Sequence, residues 1–232
     1  MVQNAVAAGV TRLVCVGVNL EHSANAVSLA HAHEEVWAGV GHHPEEPREP
    51  DFQAMGKLAR DESVVVIGEI GLDFEHEGSP PRDLQLERLN EFFALATELD
   101  LPVSIHNRGA AHELLSAISA HRGLRGAMHY FALDWDWAQR FLDEGFYLSF
   151  SGVITRPSRD ALREVARRCP ADRLLLETDS PYGNPHKRMK VPNRPAYLID
   201  TAELVAELRG LSLAQLAEQE SANAFALFTK MR

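Results

Sequence analysis

The 232-residue chain is 45% hydrophobic and 24% charged, ordinary proportions for a globular protein with one sizeable core, which excludes disorder, collagen and coiled coil. Its net charge of −10, from 23 Lys+Arg against 33 Asp+Glu, leaves no uniform basic surface for coating nucleic acid, although a local basic cleft stays open to a polyanion. No apolar run approaches the roughly 18–20 residues of a membrane helix, the opening MVQNAVAAGVTR lacks the pattern of a secretory signal, and Cys15 and Cys169 carry no CxxC spacing, so the chain reads as a soluble cytoplasmic protein with reduced thiols, a single domain over 1–232.

In chain order, a short helix-like segment over Gln3 to Ala8 precedes the first apolar, β-branched run, Thr11 to Val18. An amphipathic stretch from Ser23 to Ala32 leads into Val36 to His43, and then come Val64 to Gly71 and Pro102 to Asn107. Between these last two, Arg82 to Leu99 predicts a helix, with Leu89, Phe92, Phe93, Ala96 and Leu99 on one stripe and Glu and Arg opposite. Three further strands are expected at Arg125 to Phe131, Phe146 to Gly152 and Arg173 to Asp179, each apolar on consecutive positions, as strands covered on both faces must be. Alternating strands and helices imply either a doubly wound sheet or a (β/α)8 TIM barrel. No GxGxxG follows the first run, and seven strands preceded by a helical segment read as an α/β TIM barrel whose first strand is missing.

Barrel enzymes carry their chemistry where strands end and βα loops begin. Five of the seven predicted strands end in chemistry-bearing residues: His42 and His43 before Pro44, Glu69, His106 with Arg108, His129, and Asp179. A single strand ending in histidine is ordinarily a core or loop histidine; five agreeing ends point to a site. Glu69, His106, His129 and Asp179 make a mixed oxygen and imidazole set that suits zinc, manganese, cobalt or iron better than magnesium alone.

The segments GHHPEE (Gly41 to Glu46), GEIGLDF (Gly68 to Phe74), PVSIHNR (Pro102 to Arg108), MHYF (Met128 to Phe131) and ETDSPY (Glu177 to Tyr182), with SANAFALF near the end, resemble the TatD family of metal-dependent deoxyribonucleases in order and over nearly the whole chain. The resemblance implies a TIM barrel of the amidohydrolase-like superfamily that hydrolyses DNA phosphodiesters with one or two divalent ions (zinc, manganese or magnesium) as cofactor; a narrow barrel mouth admits a frayed strand more easily than a duplex, so DNA ends or single strands are the expected substrate, with no membrane or obligate protein partner. Carried over to this sequence, Glu69 is the bridging carboxylate, His106 and His129 ligate one ion, and Asp179 ligates the other and serves as general base. Two ions about 3.5–4 Å apart would polarise the phosphoryl oxygen and acidify water. Many members open with an HxH pair that completes the second ion's site; none occurs near residue 1, and His31 and His33 sit at a helix end, read as solvated or capping.

His43 is a candidate contact for a substrate phosphate, with a turn histidine as the plain alternative, and His42 points to the opposite side of an extended strand. Arg108 offers a planar fork suited to phosphate. Lys187, in the acid-free segment Tyr182 to Arg194 with Arg188, Lys190 and Arg194, is a candidate for a basic groove wall or else a solvated loop charge. Glu177 shares the inward direction of Asp179 and is read as orienting a ligand, whereas Asp73 and Tyr182 are read as loop-structural. Two other functions stay open: a small-molecule amidohydrolase or phosphoesterase of the same superfamily, and a catalytically impaired, metal-binding remnant.

Overall fold

The computed structural model describes residues 1–231. In chain order its elements are α1 (Val2–Ala7), β1 (Leu13–Val16), α2 (Leu20–Ala32), β2 (Val36–Val40), α3 (Phe52–Leu58), β3 (Val64–Asp73), α4 (Arg82–Glu98), β4 (Val103–Arg108), α5 (Ala111–Ala120), β5 (Gly126–Met128), α6 (Trp135–Asp143), β6 (Tyr147–Phe150), α7 (Asp160–Arg168), β7 (Leu174–Leu176), α8 (Leu198–Arg209) and α9 (Leu213–Leu227). They fall into two compact units, one built on Val14–Met128 and the other on Met1–Leu13 with His129–Ala226. Among the described residues no helix is long and apolar enough to cross a membrane.

In the Val14–Met128 unit the strands lie side by side in chain order, β1 to β5. The strands β2 to β5 pair in parallel, with Ala38 opposite Val64, Ile70 opposite Ile105, and Ile105 opposite Met128. The run VVVIGEIGLD makes β3 the central strand, buried along all its length, which is why its sequence is apolar at consecutive positions rather than alternating. Against it packs α4, whose Leu89, Phe92, Phe93 and Ala96 are fully buried at the expected helical spacing. Arg88 departs from the expected polar face. It is buried on α4, with Nη1 donating to the Glu46 carbonyl at 3.2 Å and Nη2 to Glu49 Oε1 at 2.7 Å, so the guanidinium holds the loop that follows His43. Two helix starts here follow capping chemistry: Asn19 accepts from the His22 N–H at 2.9 Å ahead of α2, which therefore begins three residues before Ser23, and Asp51 accepts from the Ala54 N–H ahead of α3.

In the other unit β6 and β7 pair in parallel, with Leu148 opposite Leu174 and Phe150 opposite Leu176. Asn223 of α9 donates to the carbonyls of Ala171 and Leu174, both at 2.8 Å, and pins the start of β7 to that helix. Arg209 reaches from the end of α8 to the Ala166 and Cys169 carbonyls at 2.7 and 2.8 Å, satisfying acceptors that α7 leaves open at its C-terminus. Burial pushes the Cys169 thiol up to about 12, so it is an inert core group.

Most strands are shorter than the sequence runs suggest. β5 spans three residues rather than Arg125 to Phe131, and β7 stops at Leu176 rather than Asp179. The ladder ends where the chain turns out to present polar side chains, so His129 and Asp179 lie just past their strands. β3 is the opposite case: it continues to Asp73, because β4 keeps pairing with it through Asp73 opposite Arg108.

Candidate metal centre

The first donor group is assembled by glycine spacing. A Cβ on Gly41 would lie 2.3 Å from the Gly68 carbonyl carbon and 2.4 Å from the Glu69 nitrogen, so only a glycine at the end of β2 lets the backbone carrying Glu69 come this close. Gly71, at φ +150°, is opposite His106 in register, and a Cβ there would lie 2.1 Å from the His106 carbonyl oxygen. With no side chain at Gly71, the His106 ring lies across β3 between the carboxylates two residues to either side.

Both ring nitrogens of His106 are thereby engaged. Nδ1 lies 3.1 Å from Glu69 Oε1, and Nε2 lies 3.1 Å from Asp73 Oδ2. Asp73 is fully buried; its Oδ1 accepts from the backbone N–H of Glu75 at 3.0 Å and of His76 at 2.8 Å. Burial alone would raise the Asp73 carboxyl, but the two backbone N–H bonds and the His106 ring outweigh it and hold it below the usual carboxylate range. Asp73 is therefore part of this constellation and not the loop-structural residue expected from sequence. The usable signal was parity: Glu69, Gly71 and Asp73 are spaced by two along one strand.

His43 Nε2 lies 3.2 Å from His106 Nδ1 and 3.4 Å from Glu69 Oε1, so His43, Glu69 and His106 bring three potential ligand atoms within 4.8 Å of one another. Such separations suit a common ion, since bonds of about 2.0–2.2 Å place neighbouring ligand atoms about 3.0–3.5 Å apart. His43, however, accepts the Glu45 N–H at Nδ1, 3.3 Å away. Its neutral ring then carries the proton on Nε2, which makes it a hydrogen-bond donor into the site and leaves Glu69 and His106 as the donor pair for a cation.

The second group sits past β5 and β7 in the other unit. His129 Nδ1 lies 2.9 Å from Glu177 Oε2, while Glu177 Oε1 accepts the Tyr130 N–H at 2.9 Å and the Ser149 hydroxyl of β6 donates to the same carboxylate. On the other side of the ring, His129 Nε2 lies 3.5 Å from Asp179 Oδ1, so an imidazole and a carboxylate, both residue types that ligate divalent ions, stand side by side. Tyr130 and Asp179 both adopt left-handed backbone, at φ +48° and +57°, a costly conformation for side chains without local reason to adopt it. Ser149 was missed by the sequence reading because a serine inside an apolar run carries no distinctive spacing.

The remaining expectations divide. Arg108 is half-exposed, with Nη1 3.8 Å from Asp73 Oδ2 and Nε 3.5 Å from Glu75 Oε2, so its fork stands beside the His106 constellation. Lys187 does not form a free groove wall: its ammonium lies 2.7 Å from Asp200 Oδ1 and 3.4 Å from Glu203 Oε2, and Arg188 Nε donates to Asp200 Oδ2 at 2.9 Å. Asp200 is buried on α8, so these cations answer a charge inside the fold, which a reading of Tyr182 to Arg194 in isolation had no means of showing. His42 is buried against Phe92, on the side away from His43, and burial with the nearby Arg88 lowers its pKa. His31 is a surface residue 2.9 Å from Asp61, and Tyr182 is 72% exposed.

The profile of the family described as TatD related DNase matches residues 1–229 and so runs through both units. The chain is 34% identical over 233 residues to the uncharacterized metal-dependent hydrolase YabD of Bacillus subtilis, covering 98% of this chain and 91% of that protein. It is 35% identical over 240 residues to the 3'-5' ssDNA/RNA exonuclease TatD of Cronobacter sakazakii, covering 99% and 91%. Among solved structures, YjjV, a TatD homologue from Escherichia coli K12, superposes with a TM-score of 0.92 at 29% identity, over 98% of this chain and 90% of that one. An amidohydrolase from Saccharomyces cerevisiae shares the fold at a TM-score of 0.82 and 16% identity. The α/β TIM-barrel class expected from the alternating strands and helices is the one these neighbours have. With a family match over nearly its whole length and relatives above 30% identity, this chain belongs to the TatD related DNase family of metal-dependent hydrolases.

Proposed function

We propose that the protein hydrolyses phosphodiester bonds at the ends of single-stranded DNA. The observation that carries this reading is the Glu69 and His106 pair, whose Oε1 and Nδ1 lie 3.1 Å apart, with His43 Nε2 3.2 Å from the same nitrogen and Asp73 Oδ2 3.1 Å behind the ring at Nε2. Glu69 on β3 and His106 on the neighbouring β4 would hold a divalent ion, and His129 with Asp179 offers a second donor pair past β5 and β7. The chemistry supplied at such sites is Lewis-acid activation of a phosphoryl oxygen and of the attacking water.

The chain's own residues supply the rest. His43 Nε2–H donates to a non-bridging phosphate oxygen, and the Arg108 fork supplies a second, charged donor to the same anion. Asp179 accepts the proton of the attacking water, and Glu177 keeps His129 oriented. The relative from Cronobacter sakazakii is named for single-stranded DNA and RNA, which supports a nucleic-acid strand as the substrate. The test is divalent-metal-dependent cleavage of end-labelled single-stranded DNA by the wild-type chain and by Glu69→Gln, with small phosphate and amide esters in parallel. Cleavage of DNA that Glu69→Gln abolishes supports the reading. Turnover of the small esters alone would move the activity to another branch of the hydrolases, and undiminished cleavage by Glu69→Gln would refute the site.

A further inference from the structure

We propose that Asp73 is the positioning residue that selects the proton tautomer of His106, holding hydrogen on Nε2 so that the Nδ1 lone pair faces Glu69. The inference rests on the reading of His106 as a metal ligand. Its geometry is over-determined around Asp73. One carboxylate oxygen is occupied by the backbone N–H groups of Glu75 and His76, at 3.0 and 2.8 Å, and the other is 3.1 Å from His106 Nε2. The backbone is clamped as well: the Asp73 N–H donates to Gln85 Oε1 at 2.8 Å, and Gln85 Nε2 returns to the Asp73 carbonyl at 2.9 Å. A fully buried carboxylate in this frame cannot turn away from the ring, and although Glu69 Oε1 lies at the same 3.1 Å from Nδ1, His43 turns Nε2–H toward Nδ1 at 3.2 Å, so the proton is favoured on the Asp73 side.

The arrangement beside His129 has the opposite sense. There the Glu177 carboxylate lies against Nδ1, at 2.9 Å, and Nε2 faces Asp179 at 3.5 Å. The two imidazoles thus present different nitrogens, and in each case the choice is made by a carboxylate behind the ring rather than by the ring's sequence neighbours. Metal-binding histidines are commonly fixed in this way by a carboxylate or carbonyl on the far nitrogen.

Asp73→Asn makes the proposal testable without dismantling the loop. The N–H groups of Glu75 and His76 still require an acceptor, so the amide oxygen takes the Oδ1 place and the NH2 faces His106. The ring must then accept at Nε2, and its proton moves to Nδ1. The experiment records imidazole 15N spectra of the metal-free full chain, histidine-labelled, at about pH 8 where imidazole is neutral. His106 is assigned by loss of its signals in His106→Gln, and Zn2+ and Mn2+ affinities are measured by calorimetry on the same samples.

The expected result is a pyrrole-like Nε2 in wild type, a pyrrole-like Nδ1 in Asp73→Asn, and divalent-metal binding about 10–100-fold weaker in the variant. A wild-type ring protonated on Nδ1, or a variant with unchanged tautomer, would overturn the proposal, as would a switched tautomer with unchanged affinity in a protein whose His106→Gln loses metal. If wild type shows the expected tautomer and the switch in Asp73→Asn but binds neither metal, the selection by Asp73 stands and the metal-ligand reading of His106 fails.

Discussion

Replacing Gly41 by alanine adds one methyl group where the structure leaves no room for it. The new Cβ would lie 2.3 Å from the Gly68 carbonyl carbon, 2.4 Å from the Glu69 nitrogen and 2.5 Å from the Glu69 oxygen. Non-bonded carbon contacts settle at about 3.5–4.0 Å, so the backbone at Glu69 must retreat by about 1 Å. Backbone atoms in a fully buried strand have no rotamer to relieve the clash, and overpacking of this kind costs about 1–3 kcal/mol. For a chain of this size that is a fall in Tm of roughly 2–12 °C. The same retreat carries Glu69 away from His106 and weakens the donor pair, so metal affinity should fall with stability.

Gly56→Ala is the matched control. It lies within α3, its nearest neighbour is Leu95 Cδ1 at an ordinary 3.5 Å, and a helical alanine should stabilise by about 0.4–1 kcal/mol. Guanidinium unfolding, with m-values compared to confirm a common denatured state, and calorimetric metal titration read out both variants. Gly41→Ala with wild-type midpoint and wild-type metal affinity would show that β2 and β3 do not approach at Glu69 as described, and the construction of the site would fall with it.

Lys187→Ala should lower Tm, because it removes one partner of the buried Asp200, while leaving the KM for single-stranded DNA unchanged; a raised KM at unchanged Tm would return Lys187 to the substrate. Arg108→Ala should raise KM for DNA more than it lowers kcat, and unchanged values of both would remove Arg108 from phosphate binding. Two carboxylates predict opposite pH limbs of stability. Burial pushes the Glu220 carboxyl up to about 7 against a hydrogen bond from the Leu176 backbone, so the folded state holds a proton the unfolded state has lost, and stability should fall as pH rises from about 4.5 to 7; Glu220→Gln should flatten that limb in pH-dependent unfolding curves. For Asp200, burial raises the carboxyl but Arg188 and Lys187 lower it further, so its contribution is present above about 3.8 and is lost as pH falls through the lower folded value; Asp200→Asn should weaken that acid limb, and an unaltered limb would place the charge elsewhere.

Local sequence determined the repeated strand-and-helix order, the helix over Arg82–Glu98 and the polar strand ends, because apolar periodicity and residue type act over a few neighbours. Glu69, His106, His129 and Asp179 are conspicuous in the sequence for the same reason, each lying in or just past an apolar run, and Glu177 through its spacing of two from Asp179; their role as ligands is a proposal. Direction and pairing were not legible. Whether Lys187 meets a ligand or Asp200 depends on a helix beginning eleven residues later, and the burial of Arg88 depends on the loop that Glu46 and Glu49 bring to it. The role of Asp73 emerged only when register set Gly71 opposite His106, which lays the ring between two carboxylates and decides which nitrogen keeps its proton. Residue type says which atoms can bind; only the packing of strand on strand says which lone pair is left to do so.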